Sequence, residues 1–513
     1  MAYTDQKVLP VRENRLRTCN AYGGCSDGLV KSSRGGCLQN SGRSFSQAGG
    51  CQMNLALTII GTIPGAYVLM HSPPGCGGSL QQFDGMFRIG QKARGRVQDR
   101  IIWGSTNLDE SDVVHGGEEK LAAAIIQADR RHRPELIFII TTCTPAIIGD
   151  DVDGVTAKVQ PQVAARVVPV HCAGFRTHIS ATGYDAAYHG LARFLDFIPR
   201  ELNLDEGEQK IRDEEAKRTV NLFNAVSIGR PDEIELERLL SALGLKVQVY
   251  PHFSDEQSFR DITKAALNVS ICATHDDYFL DFLKEKHGIP YIIDTMPIGI
   301  RNTALWLEKI AAHFGLEEEA KRLIAAEEAA LEKGIARYCE IIKGKRVYLG
   351  GGEMRVATMA MLYHELGANV IGFRAHHYDQ FGDDLYLRAA GDNPDLEVNV
   401  ATAQVFELVN LINRTKPDLY VGHGGSNSWV AKLGVPCIPL YATPQTYLGY
   451  KGTFEVARRS AKHLLNRSYQ QRLLGNAPLP YRAEWYEKDP YAYITDDRYH
   501  DSGPAADPEQ LAV

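Results

Sequence analysis

Short apolar runs alternate with amphipathic stretches through most of this chain. RPELIFIITT (133–142) is a β-branched run that stops at Cys143, and NLFNAVSIG (221–229) leads to Pro231 and the periodic PDEIELERLLSALG, then KVQVYP. ALNVSIC (266–272) precedes DDYFLDFLKEKHG and IPYIID. KRVYLGGG (345–352) precedes MRVATMAMLYHELG and ANVIGF, and PDLYVGHGG (417–425) precedes SNSWVAKLG and VPCIPLY. Apolar runs of this length, bounded by glycine or proline, predict buried strands, and the helical period between them predicts helices. Strand and helix in alternation build parallel sheets, so the expected fold class is α/β, doubly wound.

Breaks in the pattern divide the chain. The charged run ELNLDEGEQKIRDEEAKR (201–218) predicts a solvated helix between a first and a second αβ unit, and the Ala/Glu-rich stretch 317–338 a helix leading to a third. The expected segments are an N-terminal cysteine-containing extension (1–45), αβ domains at 46–215, 216–343 and 344–474, and a Tyr-, Pro- and Asp-rich tail (475–513). A length of 513 residues fits about three domains. The most apolar stretch, NLALTIIGTIPGAYVLM, is broken by Gly61, Pro64 and Gly65 and is too short to span a membrane. The N-terminus has no apolar signal core, which predicts a cytoplasmic protein. A net charge of −7 without a basic stripe speaks against nucleic acid as a partner. No GxxxxGK[ST], clean GxGxxG, HExxH or GxSxG occurs, so no nucleotide hydrolysis by this chain is expected.

Ten cysteines in such a protein are thiols or metal ligands rather than a disulfide frame. Cys51 (AGGC), Cys76 (HSPPGCGG) and Cys143 (TTCTPAIIGDD) border apolar segments, at spacings too wide for a compact zinc motif. An iron–sulfur cluster takes about four protein thiolates, so three point to a second chain that supplies the rest. In open parallel sheets ligands bind beyond the carboxyl ends of strands, where Cys143, Cys272 and the glycines of 350–352 and 422–425 are expected. Taken singly, Cys51, Cys76 and Cys143 are each better explained as a small buried hydrophobe, and that reading is adopted for Cys172, Cys339 and Cys437.

The ordered set AGGC, HSPPGCGG, NLDESDVVHGGEEKL, TTCTPAIIGDD, PVHCAGFR, LNVSIC, LKEKHGIPYI, YLGGGEMR, TKPDLYVGHG and YLGYKG resembles the α-type subunit of the nitrogenase component 1 superfamily, from about residue 51 to 466. The resemblance implies three packed Rossmann-like domains with parallel sheets and an α2β2 complex with a β-type subunit. It implies transient docking of a homodimeric 4Fe–4S ATPase near the turn at 149–151. It assigns Cys51, Cys76 and Cys143 to a P-cluster-type 8Fe–7S group shared with the partner, and Cys272 to one end of an 8Fe–9S–carbide cofactor. Arg355 matches a cofactor-contacting arginine.

The departures are specific. Leu448 stands where the family's YxGYxG histidine binds the heterometal, and Ser426 replaces the lysine that holds the organic acid. Ser180 and Tyr184 replace the glutamine and histidine over the reactive iron face. The resemblance therefore implies a cofactor without heterometal or organic acid, with His178, His275, His376 and His423 as candidates for the lost ligand and Tyr184 as a proton donor. The expected activity is that of a methylthio-alkane reductase, which cleaves methyl thioethers to methanethiol and a hydrocarbon. A cofactor-assembly scaffold is the rival, disfavoured by the extension carrying Cys19, Cys25 and Cys37. A chlorophyll-type reductase is disfavoured by Cys272.

Overall fold

The computed structural model describes residues 3–36, 38, 42–47, 50–96, 101–197, 206–225, 230–439, 445–477 and 479–495. Cys37 lies outside the described residues. The apolar runs form the strands of three sheets. The first is four-stranded and parallel, in the order Ile102–Ser105, Ala66–His71, Leu136–Thr141, Arg166–His171. Every residue of the two central strands is buried, as continuous apolar runs covered by helices on both faces require. The second sheet, also parallel, runs Tyr291–Ile292, Leu267–Ser270, Thr219–Phe223, Lys246–Tyr250. The third has five parallel strands, Cys437–Pro439, Leu419–Gly422, Arg346–Gly351, Asn369–Ala375 and Glu397–Val400. Tyr22–Cys25 closes its edge as an antiparallel sixth strand.

The acidic-basic run contains the helix Glu206–Ala216, which buries no residue, and the Ala/Glu-rich helix runs Glu317–Ile342. No helix is long and apolar enough to cross a membrane among the described residues. The three units share their cores. Phe223 and Phe279 of the second unit pack with Tyr188 of the first, and the Tyr188 and Phe279 rings stack at 4.5 Å.

The N-terminal arm pins the units together. The buried Arg12 guanidinium bonds Asp185 on the helix Thr182–Phe194 (3.1 Å), Asp277 on Ala273–His287 (2.8 Å) and Asp379 beyond the strand Asn369–Ala375 (3.1 Å). Arg15 adds a second bond to Asp185 at 2.7 Å. Thr18 and Cys19 pair antiparallel with Asp379 and Tyr378, fixing the arm to the third unit by backbone as well. An arginine can be fully buried at this meeting point only because acids from all three units surround it.

Two candidate cysteine sites

Cys51, Cys76 and Cys143 come together on one side of the first unit, each at the start of a helix. Cys51 is the N-cap of Gln52–Ile60, Cys76 lies in the first turn of Pro74–Ala93, and Cys143 opens Cys143–Ile148. Helix starts present backbone N–H groups that no helical carbonyl accepts from. Burial pushes the Cys51 and Cys76 thiols up. The Gly174 N–H donates to Cys143 Sγ at 3.1 Å. A Cβ on Gly174 would lie 2.8 Å from Cys51 Sγ and 3.5 Å from Cys143 Sγ, so glycine is needed for the approach. All three thiols are partly exposed, and Phe175 beside them is 58% exposed. Converging thiols backed by an N–H donor and glycine fit an iron–sulfur cluster.

The other cysteines of the first unit and the arm are satisfied locally. Cys19 Sγ bonds the Ala21 carbonyl at 3.3 Å, Cys25 Sγ caps its helix by accepting from Gly28 N–H at 3.4 Å, and Cys172 is buried. Cys339 and Cys437 are half-buried, and Cys437 Sγ bonds the Val435 carbonyl. No disulfide occurs among the nine described cysteines.

A cavity of about 520 Å³ opens where the three units meet. The first unit contributes Leu55, Ser180 and Tyr184, the second His275, and the third Gly350 to Gly352, Arg355, Arg374, His376, His377, His423, Ser426 and Trp429 among others. Cys272 caps the helix Ala273–His287 just behind this wall and is 3% exposed. Its N–H donates to Ser270 Oγ at 3.0 Å, and that hydroxyl donates to Asp276 at 2.5 Å, so the backbone carrying the sulfur is held from below. Burial pushes the Cys272 thiol up while Arg355 pulls it down. Arg355 donates from Nε to Tyr447 Oη at 3.0 Å.

The polar lining is neutral or cationic. Burial lowers His376 to about 3 and His423 to about 4, and their rings lie 5.9 Å apart at the carboxyl ends of two strands of the third sheet that flank Arg346–Gly351. His275 is lowered well below its ordinary value by burial and by Arg355, and its buried Nδ1 has no hydrogen-bond partner. It packs against Tyr184 at 4.1 Å between ring centroids, and burial pushes the Tyr184 phenol up to about 12. Ser426 Oγ donates to the His423 carbonyl and accepts from Tyr420 Oη. No carboxylate borders the cavity among the described residues. An orphaned imidazole nitrogen, two arginines, a glycine-rich wall and a thiol behind it fit a bulky, negatively charged inorganic group.

The structure thus gathers Tyr184, Ser180, His275, Arg355, His376, His423 and Ser426 around one cavity, with Cys272 beside it. It leaves His178 exposed and outside the lining, its N–H donating to Glu13. Leu448 is buried and also outside the lining. Sequence reasoning missed Arg374 and His377. Their signal was position, since Arg374 lies in the last two residues of the strand Asn369–Ala375 and His377 two residues beyond its carboxyl end.

The family model "Nitrogenase component 1 type Oxidoreductase" matches residues 51–465. The chain is 28% identical over 432 residues (82% of this chain, 84% of the relative) to the nitrogenase iron-molybdenum cofactor biosynthesis protein NifE of Nostoc sp.. It is 27% identical over 445 residues (82% and 87%) to the nitrogenase molybdenum-iron protein alpha chain of Methanothermobacter marburgensis. The solved structure of nitrogenase Cp1 at pH 5 superposes with a TM-score of 0.68 at 19% identity, over 86% of this chain and 93% of that one, which shows the shared fold.

Proposed function

The chain belongs to the nitrogenase component 1 type oxidoreductases, and from that premise we propose that it is the catalytic α-type subunit of a reductase whose substrate is not dinitrogen. Its partners are a β-type subunit in an α2β2 complex and an ATP-hydrolysing 4Fe–4S protein. Iron–sulfur groups at the two cysteine sites supply electron storage and reducing power when bound. Cys51, Cys76 and Cys143 hold the group shared with the β-type chain, and Cys272 holds one end of the group inside the cavity. The exposed Val113, Val114 and Ile147 flank the turn at 149–151 and support docking of the ATPase on this face.

The observation that carries the reading is the cavity lining. Buried Leu448 offers no lone pair, whereas the neutral imidazoles of His376 and His423 do, so these two histidines would hold the cofactor in its place. Arg355, Ser180 and Ser426 position the same group. Tyr184 keeps its proton at Oη through neutral pH and holds it next to His275, where it serves as the acid at the reaction face. Leu55, Val405, Leu408 and Trp429 give the cavity an apolar side suited to a small methyl thioether. The balanced reaction is CH3–S–R + 2 e⁻ + 2 H⁺ → CH3SH + R–H.

The second reading is a cofactor-assembly scaffold. The similarity to NifE proteins favours it, as does a site that keeps Cys272 and lacks a histidine at 448. Anaerobic purification of the complex, followed by assay with its ATPase partner and a methyl thioether, separates the two. ATP-dependent methanethiol release supports the reductase. Transfer of the cluster to an apo-enzyme without thioether turnover overturns it in favour of the scaffold.

A further inference from the structure

Behind the His377 edge of the cavity three potential ligands face one another. His377 Nε2 lies 3.9 Å from Glu353 Oε2 and 3.7 Å from Asp379 Oδ2. The ligand atoms of all three residues fall within 4.8 Å of one another, and all three side chains are buried. These separations are too long for hydrogen bonds. Glu353 Oε2 and His377 Nε2 accordingly have no hydrogen-bond partner, although Glu353 is 1% and His377 5% exposed. Two orphaned polar atoms aimed at one point in a protein interior require a partner.

We propose that Glu353, His377 and Asp379 bind a divalent first-row cation of the manganese(II) or iron(II) class, in the wall between the cavity and the N-terminal arm. The donor set decides the class, since one imidazole with two carboxylates and no thiolate suits Mn²⁺ or Fe²⁺ and disfavours soft ions. Bonds of about 2.1 Å place neighbouring ligands roughly 3–3.5 Å apart, so a small contraction of the present separations completes the site. The outer shell is already built. Glu353 Oε1 accepts the Asp379 N–H at 2.7 Å, Asp379 Oδ1 accepts the Phe381 N–H at 2.9 Å, and Arg12 donates to Asp379 Oδ2. Ligating carboxylates are commonly oriented by such second contacts. Gly382 packs on Glu353 Oε1 where a methyl group would collide, which keeps the carboxylate in place.

Charge points the same way. Arg12 and Arg15 are the two cations of this cluster, and the carboxylates of Asp185, Asp277, Asp379 and Glu353 gather around them. Glu353 and Asp379 sit side by side in the interior, and a cation held between them offsets their mutual repulsion. Buried charge without compensation is costly, so the ion locks the arm where the three units meet. This holds whether the cavity serves a reductase or a scaffold.

The test uses the purified complex, dialysed against chelator under anaerobic conditions and then crystallised with manganese(II) chloride. Anomalous difference maps at the manganese edge show one peak within about 2.2 Å of the three ligand atoms, and iron-edge maps of untreated crystals report whether iron(II) fills the site in cells. In solution, Glu353→Gln and Asp379→Asn each weaken Mn²⁺ binding at least tenfold by EPR titration of free manganese. Manganese-saturated wild-type crystals with no peak at the triad overturn the proposal, independently of how the variants fold. So does a folded Glu353→Gln variant that binds Mn²⁺ as the wild type does.

Discussion

Cys51, Cys76 and Cys143 are half-exposed thiols on the helix starts of a single unit, whereas Cys272 is sealed behind a cavity that all three units line. The first site lies beside an exposed phenylalanine, and on the proposed reading another chain finishes and covers it. The second is walled by this chain, with positive and neutral polar groups and one apolar side. A relay group benefits from lying at a boundary that electrons must cross. A reaction chamber benefits from excluding water, which strengthens every interaction inside it. On the proposed reading the same side chain serves two tasks, and its surroundings decide which.

The contrast is broken most sharply by removing one sulfur at a time. Cys272→Ala is expected to lower thioether turnover by about a thousandfold or more while the relay iron and its EPR signal stay intact. Normal turnover with normal cofactor iron would end that assignment. Cys143→Ala, or Gly174→Ala with its methyl group driven onto Cys51 Sγ, empties the relay site instead, read by iron content and the same signal. An unaltered relay signal in Cys143→Ala refutes the pairing of ligands.

Arg12 sharpens the comparison from the side of stability. Arg12→Ala strands the buried carboxylates of Asp185, Asp277 and Asp379 and costs about 3–5 kcal/mol. Denaturant unfolding of the full chain measures it, and a loss under about 1 kcal/mol contradicts the rivet.

The two sites should share one pH response. Burial raises the Cys51, Cys76 and Cys272 thiols, so at neutral pH they are protonated and must release a proton when a metal binds. Below the thiol pKa, affinity rises with pH by about tenfold per unit for each proton displaced. Cobalt(II) titration of the apo-protein, followed by thiolate charge-transfer absorbance from pH 6.5 to 8.5, reads the slope, and a flat profile contradicts it. The smallest effect is expected at the docking face. Val114→Asp should raise the KM for the ATPase partner by roughly tenfold and leave both metal contents unchanged.

The strands and their parallel pairing were legible because each apolar run is buried on both faces and bounded by glycine or proline. The edge strand Tyr22–Cys25 was not, since YGGC carries little strand signal and is held by pairing with Glu397–Val400. Arg12 was invisible for a different reason. Its acids lie 173, 265 and 367 residues away, so nothing local announces the clamp. Around the cavity, residues at strand ends could be anticipated from topology, as Cys272 and the glycines of 350–352 were. Arg374 and His377 obey the same rule but carry no motif of their own. His178 looked equivalent to the other histidines in sequence, yet the turn after Gly174 carries it outward into solvent.

Iron-edge anomalous diffraction from crystals of the anaerobically purified wild-type complex bears most directly on the two-site account. It predicts separate iron density at the subunit boundary, touching Cys51, Cys76 and Cys143, and inside the cavity, touching Cys272. Iron missing from either set of sulfurs, or a bond between any two of those cysteines, contradicts it.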